Sequence, residues 1–338
     1  VTYQATALRT WNDNILFSAL VELTYRCNLD CFFCYNDLAL AGEPMRLRDY
    51  QRFFEDLASL SCLHLTLSGG EPLAHPDFFD VARKGRELGF VLRVKSNGHG
   101  LRGHVLRRLK DEVDPFVVEV SLHGAGPETH DRQTRVEGSF TRLLANLSEM
   151  KAAGLRFKIN GTLTRWNERE IEAMFAIADG FGAPLTIDPE VTPRDDGDRS
   201  PLEISASPEG LRRLAEHRAR RHAAAAGTIL RRGEPELPAF DSKKHCGAGS
   251  SGIAVDPFGN VYPCVQWRRP VGNLHQRSIR DIWLANRELE EVRRLSVVVK
   301  ERVASAGISS FCPGAAESLT GSPIPGRELL PLHPSSAA

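Results

Sequence analysis

The sequence predicts an α/β protein: a partial (β/α)6 TIM-like barrel followed by a small C-terminal domain with a β-hairpin and a helix. Three observations predict it. Apolar, β-branched runs alternate six times with helix-patterned segments as far as about residue 192, which calls for a parallel sheet with right-handed crossovers. Six such units fall short of a full eightfold barrel. Beyond that point the pattern changes, and Asp256-Pro257-Phe258-Gly259-Asn260 lies between two short apolar runs as a hairpin loop would.

Residues 1–16 form an N-terminal extension, and residues 17–226 form the barrel core. Strands are predicted at 17–24, 63–68, 90–96, 116–121, 156–163 and 185–191. Between them, Tyr50, Phe53, Phe54, Leu57 and Leu60 recur at helical spacing, as do Leu143, Leu144, Leu147 and Met150, and Ile171, Met174, Phe175 and Ala178. Residues 194–201 are polar and turn-rich. A helix is predicted over 207–226, with Pro208 in its first turn. Residues 227–244 read as a linker and 245–317 as the small domain. That domain contains a hairpin and a helix over 278–295 capped by Ser278. The tail, 318–338, is rich in Pro, Gly and Ser, a composition expected to be loosely ordered.

Lys plus Arg and Asp plus Glu both number 43 in the 338 residues, so no excess charge favours nucleic acid as a partner. No apolar run approaches a membrane span, and residues 1–14 show no signal-peptide pattern. A cytoplasmic location is the expectation. Seven cysteines are an odd number and too few for a disulfide scaffold in a chain this long. In a reducing compartment, clustered cysteines point to metal or catalysis.

Cys27, Cys31 and Cys34 follow the first strand directly. A loop lets three thiolates converge, and thiolate is the ligand that iron–sulfur clusters prefer. The competing reading is a zinc site completed by a distant residue. Cys-x3-Cys-x2-Cys at this place, with Phe33 before the third cysteine, resembles the radical SAM superfamily signature. The resemblance implies a 4Fe–4S cluster with one iron free to chelate S-adenosylmethionine (SAM), reductive cleavage of SAM, and hydrogen abstraction by a 5′-deoxyadenosyl radical. It also implies an external electron donor of flavodoxin or ferredoxin type, and it sets Phe33 beside the adenine.

The later strand ends extend the likeness. Ser68-Gly69-Gly70-Glu71-Pro72 ends the second strand; its glycines allow close backbone approach and its carboxylate can receive an ammonium. It resembles the family's motif for the SAM amino group. Lys95-Ser96-Asn97-Gly98 ends the third strand, with Ser96 and Asn97 as polar contacts implied at the SAM-binding edge. Ser121-Leu122-His123-Gly124 ends the fourth and looks like the Ser-Leu-Asp-Gly of peptide-modifying relatives, with His123 replacing Asp; the family uses that Ser on SAM. In His130-Asp131-Arg132-Gln133-Thr134-Arg135, the family's arginine for the SAM carboxylate falls on Arg135 in preference to Arg132. The three strand-end motifs sit with the cysteine loop at the carboxyl ends of parallel strands, where such folds place their chemistry.

Cys246, Cys264 and Cys312 lie outside that region. Lone cysteines are often small buried hydrophobes, and Cys62, at a helix–strand junction, is read that way. Yet a cysteine, a hairpin, Pro263-Cys264, then Gly272-Asn273 and a helix with Ile282-Trp283 resembles the SPASM/twitch auxiliary-cluster region. The resemblance implies a second 4Fe–4S cluster. The chain departs from the pattern by supplying three cysteines where a twitch region has four. The fourth iron is therefore open, or ligated by His245 or His275, or the site has degenerated.

These likenesses favour an enzyme that modifies a ribosomally made peptide by crosslinking, epimerisation or oxidation. Leader recognition is expected to fall to a separate leader-peptide-binding protein or to another surface. The alternative is a radical SAM dehydrogenase or a cofactor- or haem-pathway enzyme acting on a small molecule. A noncatalytic iron–sulfur or zinc protein leaves the strand-end motifs unexplained. Asp188 and Glu190 are reachable acid–base candidates.

Overall fold

The computed structural model describes residues 2–231, 242–306 and 311–326. Helix α1 (Tyr3–Asp13) precedes β1 (Ser18–Glu22). The core then runs α2 (Leu47–Ser59), β2 (His64–Ser68), α3 (Phe78–Glu87), β3 (Val91–Ser96), α4 (Gly103–Arg108), β4 (Val117–Ser121), α5 (Pro127–Thr134), α6 (Ser139–Ala152), β5 (Phe157–Thr162), α7 (Ile171–Phe181) and β6 (Leu185–Asp188). After α8 (Pro208–Arg231) come β7 (Gly252–Val255), β8 (Asn260–Tyr262), β9 (Gly272–Asn273), α9 (Ile279–Leu284), α10 (Arg287–Ser305) and α11 (Pro313–Thr320). All six core strands lie within the predicted segments.

The strand order is β6-β5-β4-β3-β2-β1-β7-β8-β9, with β1 through β6 parallel. Strands β2, β3 and β4 alternate in the apolar side chains they bury. Leu65 and Leu67, Leu92 and Val94, and Val118 and Val120 are buried to 1% exposure or less. The helices cover this apolar face with the stripes that the spacing predicts: Tyr50, Phe53, Phe54 and Leu57 on α2, and Ile171, Met174, Phe175 and Ala178 on α7. Ser68, Lys95, Glu119, Ser121, Lys158 and Asn160 line an open interior.

The structure differs from expectation in three places. The predicted hairpin is not set apart from the barrel: β7 pairs in parallel with β1, from Ser18↔Gly252 to Val21↔Val255, so one sheet runs through both regions. Ile253, Ala254 and Val255 cover an edge that β1 would otherwise expose. Second, the helix predicted over 278–295 is two helices. Ser278 caps α9 as expected, but Ala285 leaves helical geometry and Asn286 caps α10 by accepting from the Leu289 N–H at 2.8 Å. Third, the helix predicted over 207–226 runs on to Arg231, into the segment read as linker. The rest of that linker up to residue 241, and the tail from residue 327, lie outside the described residues. The N-terminal extension is a staple between the regions: the Trp283 indole donates to the Asn14 carbonyl at 3.0 Å, and Ser242 donates to Asn12 at 3.0 Å.

Candidate active site

The loop after β1 is held from two sides. Gly70 N–H donates to the Thr24 carbonyl at 2.7 Å and Glu71 N–H to that of Arg26 at 2.9 Å. Gly69 has φ +133°, and a Cβ there would stand 2.3 Å from the Thr24 oxygen; one on Gly70 would stand 2.6 Å from the Arg26 and Tyr25 oxygens. The two glycines thus let the end of β2 pack against the cysteine-loop backbone, a contact no side chain permits. From the other side, Asp30 and Phe32 N–H groups donate to the Thr134 and Gln133 carbonyls at the end of α5.

Cys27, Cys31 and Cys34 border one cavity of ≈ 540 Å³, together with Phe33, Gly69, Gly70, Ser96, Asn97, Ser121 and His123. All three thiols are free. Burial pushes each of them up, and Cys31 is raised further by the charges of Cys34 and Cys27. Thiolates in such a place need a cationic partner, and cluster iron is one. Among the described residues, no three His, Cys, Asp or Glu side chains are placed to hold a single metal ion. A zinc site would draw its sulfurs to about 2.3 Å from one centre; a cluster binds each thiolate at a separate iron. The donor set and the cavity fit a cluster with a ligand beside it.

Two residues expected to face the ligand do not line this cavity. The Glu71 carboxylate is buried behind the wall, accepting from Ser96 Oγ at 2.9 Å, Asn97 N–H at 2.8 Å and Leu73 N–H at 3.2 Å. Burial raises it to about 7, against the pull of those donors. It positions the end of β3, whose Asn97 amide donates to Asn28 at 2.8 Å and reaches Cys27 Sγ at 3.7 Å. Arg135, in a left-handed conformation at the end of α5, pairs with Asp30 at 3.2 Å and stacks over Phe32. It braces the cysteine loop from outside, while Arg132 lies over Trp166. Phe33 meets His123 edge to face at 4.7 Å. Burial holds His123 down at about 3, so it is a neutral imidazole in the cavity wall.

Cys246, Cys264 and Cys312 lie outside the cavity lining, with Cys264 next to Val265 and Gln266, which line it. Cys246 and Cys312 each feel the charge of Cys264, and burial raises all three. Cys312 caps α11 and its thiol donates to Gln266 Oε1 at 3.4 Å; Gln266 lines the same cavity as the first three cysteines. His275 is bound to the Glu43 carbonyl at 2.9 Å, and His245 to the Phe311 carbonyl at 2.7 Å. Neither imidazole is presented to the thiols by these contacts. Glu190 is better placed: it lines the cavity and its charge is felt at Cys312. Cys62 is buried in the core, as read.

A buried ionic hub, absent from the sequence reading, ties the two halves together. Arg268 donates both terminal nitrogens to Glu22 at 3.0 and 2.9 Å and sets its Nε 2.8 Å from Asp195. Tyr25 and Tyr35 also donate to Glu22, at 3.2 and 3.0 Å. Tyr35 follows Cys34 directly, and Arg268 lies four residues beyond Cys264. The only sequence signal was a carboxylate ending an apolar strand.

Residues 21–178 match the radical SAM superfamily, and residues 246–308 match SPASM, an iron–sulfur cluster-binding domain. A PqqA peptide cyclase of Streptomyces rochei is 30% identical over 292 residues, covering 81% of this chain and 77% of that protein. An AdoMet-dependent heme synthase of Methanosarcina barkeri is 29% identical over 329 residues, covering 89% and 92%. Streptococcus suis SuiB bound to precursor peptide SuiA superposes with a TM-score of 0.66 at 15% identity over 86% of this chain and 69% of that one, a likeness of fold.

Proposed function

This chain belongs to the radical SAM superfamily and carries its iron–sulfur SPASM domain, and from that premise we propose that it cleaves SAM reductively and removes a hydrogen atom from a ribosomally made peptide, which it crosslinks, epimerises or oxidises. The observation that carries this reading is the shared cavity: Cys27, Cys31 and Cys34 line it, and so does Gln266, to which the Cys312 thiol is bonded. A peptide cyclase among the relatives supports the substrate class.

In this proposal Cys27, Cys31 and Cys34 hold a 4Fe–4S cluster with one iron left for SAM. Gly69, Gly70, Ser96, Asn97, Ser121 and Phe33 border the space that SAM takes. When bound, cluster and SAM supply one-electron reduction and hydrogen-atom abstraction. The protein's part is to hold, orient and exclude water. Glu71 fixes Ser96 and Asn97; Arg135 braces the loop through Asp30; Phe33 against His123 closes one wall. Cys246, Cys264 and Cys312 would hold a second cluster, with the oxygen donors Gln266 and Glu190 nearby. An external flavodoxin- or ferredoxin-type donor and a separate leader-binding protein complete the system.

The heme synthase relative, matched over 92% of its length, favours a second reading, a tetrapyrrole substrate. Anaerobic reconstitution with SAM and dithionite, followed by mass spectrometry of short precursor peptides and of porphyrins, separates the two. A mass change in a peptide supports the proposal; conversion of a porphyrin alone sinks it in favour of the second.

A further inference from the structure

The interior positions of β3, β4 and β5 carry a charge pattern that the cluster chemistry does not use. Lys95 pairs in register with Glu119, and Glu119 with Lys158, so a cation, an anion and a cation cross three adjacent strands in one row. Lys95 Nζ lies 3.2 Å from Glu119 Oε2 and Lys158 Nζ lies 3.0 Å from Oε1; Asn160 donates to Oε2 at 2.8 Å. Arg93 adds a third cation 3.9 Å away. The Glu119 side chain is 4% exposed, whereas those of Lys95 and Lys158 are 43% and 29% exposed and line the cavity. The cavity's other carboxylates on this sheet stand further toward the cysteines: Asp188 pairs with Thr162, four residues beyond Lys158.

We propose that Lys95 and Lys158, oriented by Glu119, anchor a carboxylate of the substrate on the cavity floor. One lysine would neutralise Glu119. Two lysines on the floor, with Arg93 behind them, outnumber the one carboxylate, and each ammonium has three donors of which one is used here. Fixed cross-strand pairing holds the two ammonium groups on either side of Glu119, ready to receive a further anion. The inference rests on the reading of this cavity as the reaction chamber.

The test uses anaerobically reconstituted holoenzyme with SAM, and calorimetric titration with acetyl-Gly-Glu-Gly-amide, its Gln counterpart, and glutarate. The wild type should prefer the Glu peptide over the Gln peptide by about tenfold or more, the size of one charge-assisted hydrogen bond. Lys95→Met or Lys158→Met should erase most of that preference. Glu119→Gln should tighten the Glu peptide several-fold, because it frees both ammonium groups; if the lysines merely balance Glu119, no tightening follows. Equal affinity of the wild type for the Glu and Gln peptides overturns the anchor, as does weaker binding by a folded Glu119→Gln protein. A Glu peptide that outbinds glutarate marks a peptide carboxylate, and glutarate equal or better marks a small acid; both keep the anchor. The SAM titration of the same wild-type sample separates the layers. Without SAM binding the underlying reading fails, whereas SAM binding without Glu preference removes only the anchor.

Discussion

Replacing Arg268 by methionine keeps most of the side chain's apolar bulk and removes its charge. Glu22 is 0% exposed and Arg268 14%, so their two-point contact at 2.9–3.0 Å is out of water. Loss of the guanidinium strands Glu22 and also strips Asp195 of its partner at 2.8 Å. Breaking a buried pair from one side costs about 3–5 kcal/mol, because the remaining charge stays buried. Against a total of about 5–15 kcal/mol, that is a large fraction. The two tyrosine hydroxyls on Glu22 soften the loss without cancelling the charge. Thermal unfolding followed by circular dichroism, on samples matched for iron content, should show a clear fall for R268M. Adding Glu22→Gln should recover part of it, by about 0.5–3 kcal/mol of coupling, since an amide is cheaper to bury than an unpaired carboxylate. An R268M protein within about 1 kcal/mol of wild type, or a double variant that falls by the sum of the singles, would refute the hub as a stabilising contact.

Four further outcomes are expected. Single Cys27→Ala, Cys31→Ala and Cys34→Ala proteins should form no 5′-deoxyadenosine from SAM and dithionite by chromatography; normal yield from any one contradicts the assignment. Iron should measure about eight per chain in the wild type and about four in the Cys246→Ala/Cys264→Ala/Cys312→Ala protein, taking two 4Fe–4S clusters; one cluster that survives the triple change removes the auxiliary site. Glu71→Ala should weaken SAM binding by roughly ten- to a hundredfold while iron stays constant, because Ser96 and Asn97 lose their anchor; an unchanged dissociation constant shows that the carboxylate shapes only its own turn. Burial holds His123 down at about 3 and His130 at about 4, so the folded state keeps both neutral while the unfolded chain protonates below about 6.5. Their contribution is present above that pH and is lost on acidification, toward about 4 for His130 and about 3 for His123, with a slope of up to about 2.7 kcal/mol per pH unit for two protons. Urea midpoints between pH 7 and pH 5 should flatten in a His123→Gln/His130→Gln protein, and an unaltered slope assigns the acid sensitivity elsewhere.

Local periodicity was enough to identify the six core strands, the stripes of α2 and α7, and the Ser278 cap, because each depends on neighbours within a few residues. The cysteine spacing was equally legible, since a loop of eight residues keeps its thiols together however the rest folds. What lay far apart in the chain was decided only by the tertiary structure. Nothing near residue 252 announces that β7 pairs with β1, because an apolar run of four residues fits any uncovered edge. Glu71 read as a ligand group because a carboxylate after two glycines can meet an ammonium; the fold instead turns it inward, where Ser96 and Asn97 satisfy it. Arg135 read as a SAM contact and is spent on Asp30. The bond between Glu22 and Arg268 spans 246 positions, and the Lys95–Glu119–Lys158 row needs three strands in register. Helical and strand patterns are set by short-range sterics and burial, which a sequence displays. The choice of partner for a buried charge is set by which distant group satisfies it once water has been excluded, and only the assembled sheet determines that.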